Sequence, residues 1–253
     1  GAALGVPLEL DHLPVAPQTT SLTLVSRRDH GHEVQAPTAI LRFAVPRLAL
    51  WQRLLGQGFA RFEPGDLIGI VPEGLTIPRF YSLASGSKDG FVEIVVRKHV
   101  GGLCSGVLLA LKPGQQVAAF LRRNPRFHAG RDRTPLVLVG AGTGIGPLAG
   151  FIRANVGRRP IHLFFGLRHP DSDFLYRDEL DAWTAEGRLT GLATACSRGA
   201  HPRYVQHAIA AERAAFIQAI RSGARVMVCG GREMAAGGAE TVTSILEPLG
   251  LSP

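Results

Sequence analysis

The 253-residue sequence is poor in cysteine. Its three thiols, Cys104, Cys196 and Cys229, show neither a paired metal-binding spacing nor the even number that a disulfide framework needs. Reduced thiols in a cytoplasmic setting are therefore expected. No run of 18 uncharged apolar residues occurs, and the longest candidates, 136–150 and 103–111, are too short or too rich in glycine to span a bilayer. HExxH and GxSxG are both absent, and His99, His128, His162 and His207 show no ligand spacing, so no metal site is expected and these histidines read as structural or surface groups. The chain does not start with methionine, and Gly1-Ala2-Ala3-Leu4-Gly5 lacks the basic-then-apolar order of a signal peptide. An internal start is the expectation.

What is present is apolar, breaker-rich and basic. A hydrophobic content of 45% excludes a disordered chain, and 31 glycines with 17 prolines exclude a helical bundle. The net charge of +8 calls for an anionic partner: nucleic acid, a phosphorylated cofactor or an acidic protein surface. The basic side chains are dispersed (Arg27, Arg28, Arg79, Arg97, Lys98, Arg122, Arg123, Arg168, Arg198) and form no stripe interleaved with aromatic rings. That pattern excludes the nucleic-acid reading.

Periodicity divides the chain in two. Short alternating or β-branched runs at 21–27, 38–45, 67–71, 79–84, 91–97 and 116–121 predict six closely spaced strands, hence a small barrel or sandwich. A helical segment at 103–111 follows Gly101-Gly102. Beyond 129–134 the pattern changes to strands at 136–139, 161–165, 191–195 and 225–228, with helices from the glycine loop to 155, at 174–184 and at 204–220. Such a βαβ series predicts a doubly wound parallel sheet, ordered 3-2-1-4. The expected domains are 1–130 and 131–253.

Four glycines in Gly140-Ala141-Gly142-Thr143-Gly144-Ile145-Gly146-Pro147 stand between an apolar strand and a helix start. They predict either an anion cradle or a tight βα turn, since the spacing is neither GxGxxG nor a P-loop. The next two strands run into Arg168 and into Cys196-Ser197-Arg198, where a dinucleotide fold of the NAD type carries an acid; with Arg203 and Tyr204 just beyond, these residues suit a 2′-phosphate and a stacked adenine. Cys229 ends the fourth strand, either touching a nicotinamide or filling core space. In the first half, Arg79, Tyr81 and Ser85 fall on one strand face and Ser82 on the other; they suit a pyrophosphate and a flat ring, or a polar-faced strand with a core tyrosine.

Six ordered segments, RFYSLAS, GGLCSGVL, VGAGTGIGPLAGF, FFGLRHPDSDFLYRDEL, CSRGAHPRYVQH and VMVCGGREMA, resemble the motifs of the ferredoxin–NADP⁺ reductase superfamily. The likeness is strongest to its diflavin reductase branch, which includes sulfite reductase flavoproteins and cytochrome reductases. The resemblance covers roughly 67–247 and implies an antiparallel β-barrel FAD-binding domain followed by an α/β doubly wound NADP-binding domain. It implies that Arg79, Tyr81 and Ser82 hold FAD, with Ser82 near the reactive flavin nitrogen. Gly102, Leu103, Cys104 and Ser105 match the second FAD segment. Gly142, Thr143, Gly144 and Gly146 match the NADP pyrophosphate loop, while Arg168, Ser197, Arg198, Arg203, Tyr204 and Gln206 match the 2′-phosphate site. Cys229 matches the cysteine beside the nicotinamide, making Ser82 and Cys229 the implied catalytic pair.

The implied function is an NADPH-dependent flavoprotein reductase module. It would pass a hydride from NADP(H) to FAD and electrons on to a flavodoxin-like FMN domain, in the same longer polypeptide, or to another acceptor. Four departures from the family pattern are visible: an ending at Leu251-Ser252-Pro253 where the family continues to an acid and an aromatic ring, a short 45–62 segment, Gly231 where an acid or serine is common, and Pro202 beside Arg203. They keep open an NADPH:flavin or ferric-siderophore reductase and a non-catalytic flavin-binding subunit. A cytoplasmic protein, or the cytoplasmic part of a larger membrane protein, is expected.

Overall fold

The computed structural model describes residues 18–47, 50–72, 77–130, 132–198 and 201–250. The expected internal start, the chain end at 251–253 and Arg131 of the expected boundary lie outside them. Six antiparallel strands come first: β1 (Thr20–His30), β2 (Thr38–Ala44), β3 (Leu67–Val71), β4 (Arg79–Ser82), β5 (Phe91–Arg97) and β6 (Gln116–Arg122). Their order is β4-β3-β6-β1-β2-β5. β1 serves two partners, pairing with β6 over its first residues and with β2 after a register shift between Leu24 and Ser26. Past Ser82 the chain leaves β3, and Leu83 bridges to Ile94 of β5. That bridge joins the two ends of the strand order, so the sheet closes into a barrel. Alternate residues fill it, among them Leu22, Leu24, Leu41, Phe43, Ile68, Ile70, Ile94 and Val96.

Two helices flank the barrel strands, α1 (Leu50–Leu54) and α2 (Leu103–Ala110). The second half contains parallel strands β7 (Leu136–Ala141), β8 (Ile161–Leu167), β9 (Gly191–Cys196) and β10 (Arg225–Cys229), ordered β10-β7-β8-β9, as expected. Both faces of this sheet are covered, which is why its strands read as continuous apolar runs. On β7, Leu136 and Leu138 enter a layer with α3 (Ile145–Arg153) and α4 (Arg177–Ala185). Val137 and Val139 enter the opposite layer with α5 (Val205–Ala211), α6 (Arg213–Arg221) and α7 (Arg232–Leu246). No helix among the described residues is long and apolar enough to cross a membrane.

Two helical expectations need correction, and α7 was not expected. The segment expected to be one helix at 204–220 breaks at Glu212, whose φ of −96° and ψ of +31° lie outside the helical region. The helix expected from 174 starts at Arg177, because Tyr176 adopts φ +61° and cannot continue a helical turn. α7 covers the Gly/Ala patch at 235–239, where low side-chain content obscured the spacing of Val242, Ile245 and Leu246.

The two halves meet along α3. A Cβ on Gly146 would lie 3.0 Å from Val95 Cγ2, and one on Gly150 would lie 2.7 Å from both the Ala84 carbonyl oxygen and Pro64 Cβ. These two glycines, four residues apart on one helix face, let the Val95 side chain and the Ala84 backbone approach the helix closely. Beside them Glu93 of β5 is fully buried. It accepts hydrogen bonds from Arg42 Nε at 2.5 Å, Arg153 Nη2 at 2.7 Å and the Tyr176 hydroxyl at 2.9 Å. Arg153 also donates to the Ala84 carbonyl at 2.6 Å. Burial, followed by the neighbouring Glu93 charge, raises the Tyr176 pKa well above its ordinary value, so the phenol stays a donor.

Candidate nucleotide-binding site

A cavity of about 700 Å³ opens at the carboxyl ends of β7, β8 and β9, where ligands bind in open parallel sheets. Gly142, Arg168, Ser197, Arg203, Tyr204 and Gln206 line it, so the structure brings together six of the residues singled out from the sequence. β8 delivers Leu167 and then Arg168, and β9 delivers Cys196 and then Ser197. Asp173 fixes the first of these turns by accepting the backbone N–H groups of Arg168 at 3.0 Å and His169 at 2.8 Å. The carboxylate therefore braces the loop and forms no ion pair with the arginine side chain, although its charge still acts on it.

The electrostatics call for an anion. Among the described residues, Arg97, Arg168, Arg198 and Arg203 form no ion pair with a carboxylate. Arg168 and Arg198 instead donate to the Val34 carbonyl, at 3.0 and 3.4 Å. Desolvation, then the charges of Arg97 and Arg198, lower the Arg168 pKa against the opposing charge of Asp173: Arg97 and Arg168 line the cavity, and Arg198 is close enough to repel Arg168. Arg97 is the member that sequence reading missed, having been counted only among the scattered basic residues. It reaches across from the barrel, its Nη1 3.6 Å from where a Cβ on Gly142 would stand. The signal was indirect: Arg97 ends an apolar strand just before the Gly101-Gly102 turn.

The glycines of the loop divide their labour. Gly142 has φ +54° and lines the cavity, so it keeps the backbone open to a ligand. Thr143 and Gly144 continue the same short 3₁₀ turn into α3. Gly144 answers a different need: a Cβ there would lie 2.0 Å from the Cys229 carbonyl oxygen. Gly146 faces the barrel, as described above. Gly144→Ala should push back the end of β10 and destabilise the fold by about 1–3 kcal/mol, readable as a lowered midpoint in urea unfolding at unchanged slope. Cys229 itself is mostly buried, and burial pushes its thiol pKa up to about 11, so it is neutral at ordinary pH.

In the barrel half, β4 presents Arg79 to solvent and half-buries Tyr81 and Ser82. The Tyr81 hydroxyl donates to the Cys104 thiol; burial first, and this bond second, raise the Tyr81 pKa. Cys104 lies in the first turn of α2, where N–H groups lack intrahelical partners. Gly102 caps that helix at its start, Leu103 is exposed, and Ser105 donates to the Gly102 carbonyl at 3.0 Å while accepting from the His99 N–H at 3.2 Å. Ser85, expected on the Arg79 and Tyr81 face, is fully buried and spends its hydroxyl on the Phe91 carbonyl and the Glu93 N–H. One turn of chain links the two half-sites. The glycine run that meets the Cys229 carbonyl at Gly144 meets Ala84, two residues beyond Ser82, at Gly146.

A closed antiparallel barrel joined to a doubly wound parallel sheet, with a cationic cavity at the strand ends, defines a two-domain nucleotide-binding oxidoreductase. Residues 138–239 match the family of oxidoreductase NAD-binding domains. The chain is 37% identical over 184 residues to a bifunctional cytochrome P450/NADPH–P450 reductase of Bacillus cereus, covering 62% of this chain and 17% of that protein. It is 36% identical over 193 residues to the sulfite reductase [NADPH] flavoprotein alpha-component of Vibrio vulnificus, covering 70% and 31%. The chain thus spans less than a third of either relative. A ferredoxin–NADP⁺ reductase from Plasmodium falciparum, solved with 2′P-AMP, superposes with a TM-score of 0.73 at 17% identity, covering 90% of this chain and 93% of that one. The chain has the ferredoxin–NADP⁺ reductase-like two-domain fold and is homologous to NADPH-dependent flavoprotein reductases over 62–70% of its length.

Proposed function

We propose that this chain is the reductase module of an NADPH-dependent flavoprotein, with FAD held on the barrel and NADP(H) in the strand-end cavity. The observation that carries this reading is the convergence of Arg97, Arg168 and Arg203, none of them ion-paired among the described residues, on a cavity beside a glycine with φ +54°, with the Arg198 charge close enough to act on Arg168. A cofactor bearing both a pyrophosphate and a 2′-phosphate matches such a site; NADH would leave part of the positive charge unanswered.

The residues present fit both groups. Gly142, Thr143 and Gly144 would cradle the nicotinamide dinucleotide pyrophosphate, with Arg97 answering its charge from the barrel side. Arg168, Ser197, Arg198 and Arg203 would hold the 2′-phosphate, with Tyr204, 54% exposed, and Gln206 against the adenosine. On the barrel, Arg79 and the first turn of α2, formed by Gly102, Leu103, Cys104 and Ser105, would meet the FAD pyrophosphate. Tyr81 is pinned by Cys104 so that its ring can lie against a flat heterocycle, and Ser82 offers a hydroxyl at the seam. Bound together, the two cofactors supply the redox chemistry, a hydride transfer followed by single-electron release. The protein's part is to hold the two rings in contact and exclude water, and the neutral Cys229 thiol would pack there without competing for charge.

We further propose that the acceptor is a flavodoxin-like FMN domain, in the same longer polypeptide, or another one-electron acceptor. The short span of the relatives that this chain covers supports a multidomain parent. Reconstitution with FAD tests the core reading: the protein should bind it with a visible absorption band that bleaches when NADPH is added without oxygen. A chain that takes up no FAD, or whose band ignores NADPH, would refute it. Ser82→Ala should retain FAD yet slow that bleaching about tenfold, the worth of one hydrogen bond in the transition state, measured by stopped flow.

A further inference from the structure

The connection from β2 to β3 is anchored at both ends and apolar on its outside. Val45 and Phe59 pack against the barrel core, and Phe59 meets Phe62 edge to face at 6.3 Å. Between these anchors runs α1, extended by a bond from the Leu55 N–H to the Trp51 carbonyl at 2.9 Å. Gly56, with φ +61°, then ends the turn in the left-handed conformation. Leu50, Trp51, Leu54 and Leu55 are 56–78% exposed. At 3.6 residues per turn these positions fall within an arc of about 140°, so they share one face. Single exposed apolar side chains need no explanation, but four on one face mark an interaction surface.

The charges around this face select what covers it. From 34 to 62 the sequence holds four arginines, Arg42, Arg47, Arg53 and Arg61, and no aspartate or glutamate. Arg42 pairs with the buried Glu93, whereas Arg47 and Arg61 are exposed. Arg61 stands at the end of the apolar face: a Cβ on Gly56 would lie 3.7 Å from both its Cβ and its Cδ. Leucines and an indole bordered by arginines, with no acid among them, suit an anionic lipid surface. The apolar groups enter the acyl boundary while the guanidinium groups stay among the phosphates. Area argues the same way. A stable protein pair takes about 800 Å² and roughly 20–30 residues from each partner, far more than a helix of five residues offers.

We propose that α1 is a peripheral membrane contact: Leu50, Trp51, Leu54 and Leu55 dip into an anionic lipid surface, and Arg47 and Arg61 meet its phosphates. None of the four apolar side chains lines the nucleotide cavity. Binding is therefore measured without nucleotide or flavin, and its outcome is independent of the proposed redox function.

The test is co-sedimentation of the full chain with vesicles of equal parts phosphatidylglycerol and phosphatidylcholine, read together with tryptophan emission. The chain should pellet with these vesicles and be released as salt is raised. Its emission should shift to the blue; of the two tryptophans Trp183 is buried, so the shift reports Trp51. The double variant Leu50→Ser with Leu54→Ser removes apolar contact at unchanged net charge and should weaken vesicle binding about tenfold or more. Both positions are exposed, so its thermal midpoint should match the parent's. Three results would each overturn the proposal: no pelleting of the parent chain, an unshifted emission maximum, or full binding in the double variant, which would assign the attraction to overall positive charge. So would a dimer that the double variant dissociates, since the face would then belong to a second copy.

Discussion

Arg198→Ala should weaken NADPH binding by about 1.5–3 kcal/mol, roughly ten- to a hundredfold, while NADH binding changes little. The asymmetry follows from where Arg198 stands. It shares the Val34 carbonyl with Arg168, and its charge depresses the Arg168 pKa, so the pair is held in mutual repulsion until an anion arrives. Removing one guanidinium relieves that repulsion in the free protein and removes a donor in the bound one; both changes disfavour the 2′-phosphate. Added salt should reduce NADPH affinity in the parent protein more than in the variant, because fewer charges remain to screen. Arg198→Lys should recover part of the loss, a point charge replacing a planar fork. Fluorescence titrations with both nucleotides would decide it, and equal weakening of NADPH and NADH would remove the specificity assignment.

Replacing Glu93 should be more damaging still. Glu93→Ala leaves the Tyr176 hydroxyl without its acceptor, and Arg153, 12% exposed at its side chain, with the Ala84 carbonyl and Asp89, 4.0 Å away, as remaining partners. Stranding a buried charge costs about 3–5 kcal/mol, a large share of the stability of any domain. The loss would appear as a lowered thermal midpoint and a lowered urea midpoint. Glu93→Gln keeps one acceptor oxygen and should fall between parent and alanine. The double replacement Glu93→Ala with Arg153→Met should regain stability relative to Glu93→Ala alone, since the stranded charge goes with its partner; failure to regain it would show that the carboxylate matters through Arg42 and not through the helix.

Much of this architecture was legible because period and punctuation agree along the chain. The strand readings at 67–71 and 91–97 coincide with β3 and β5, and the glycine loop falls where β7 hands over to α3. The 3-2-1-4 order also follows from a run of βαβ units with one reversal. Other features depend on residues far apart in the chain, which no local pattern announces. Glu93 meets Arg42, Arg153 and Tyr176 across separations of 51, 60 and 83 residues. Arg97 gains its place at Gly142 only because α3 presses on β5. The break at Glu212 lacked glycine or proline to mark it, and Gly144 and Gly146, assigned to a pyrophosphate loop by the family resemblance, also relieve steric conflict with Cys229 and Val95.

The close contact of Gly146 and Gly150 with the barrel limits how such a module can trade electrons. Val95, Pro64 and the Ala84 carbonyl sit directly against bare helix, and the carboxylate knot beside them resists shear. The two lobes should therefore travel as a single rigid body. If the barrel holds FAD as proposed, an electron acceptor would have to reach an exposed rim of the flavin, and any swinging between donor and recipient positions would fall to that acceptor.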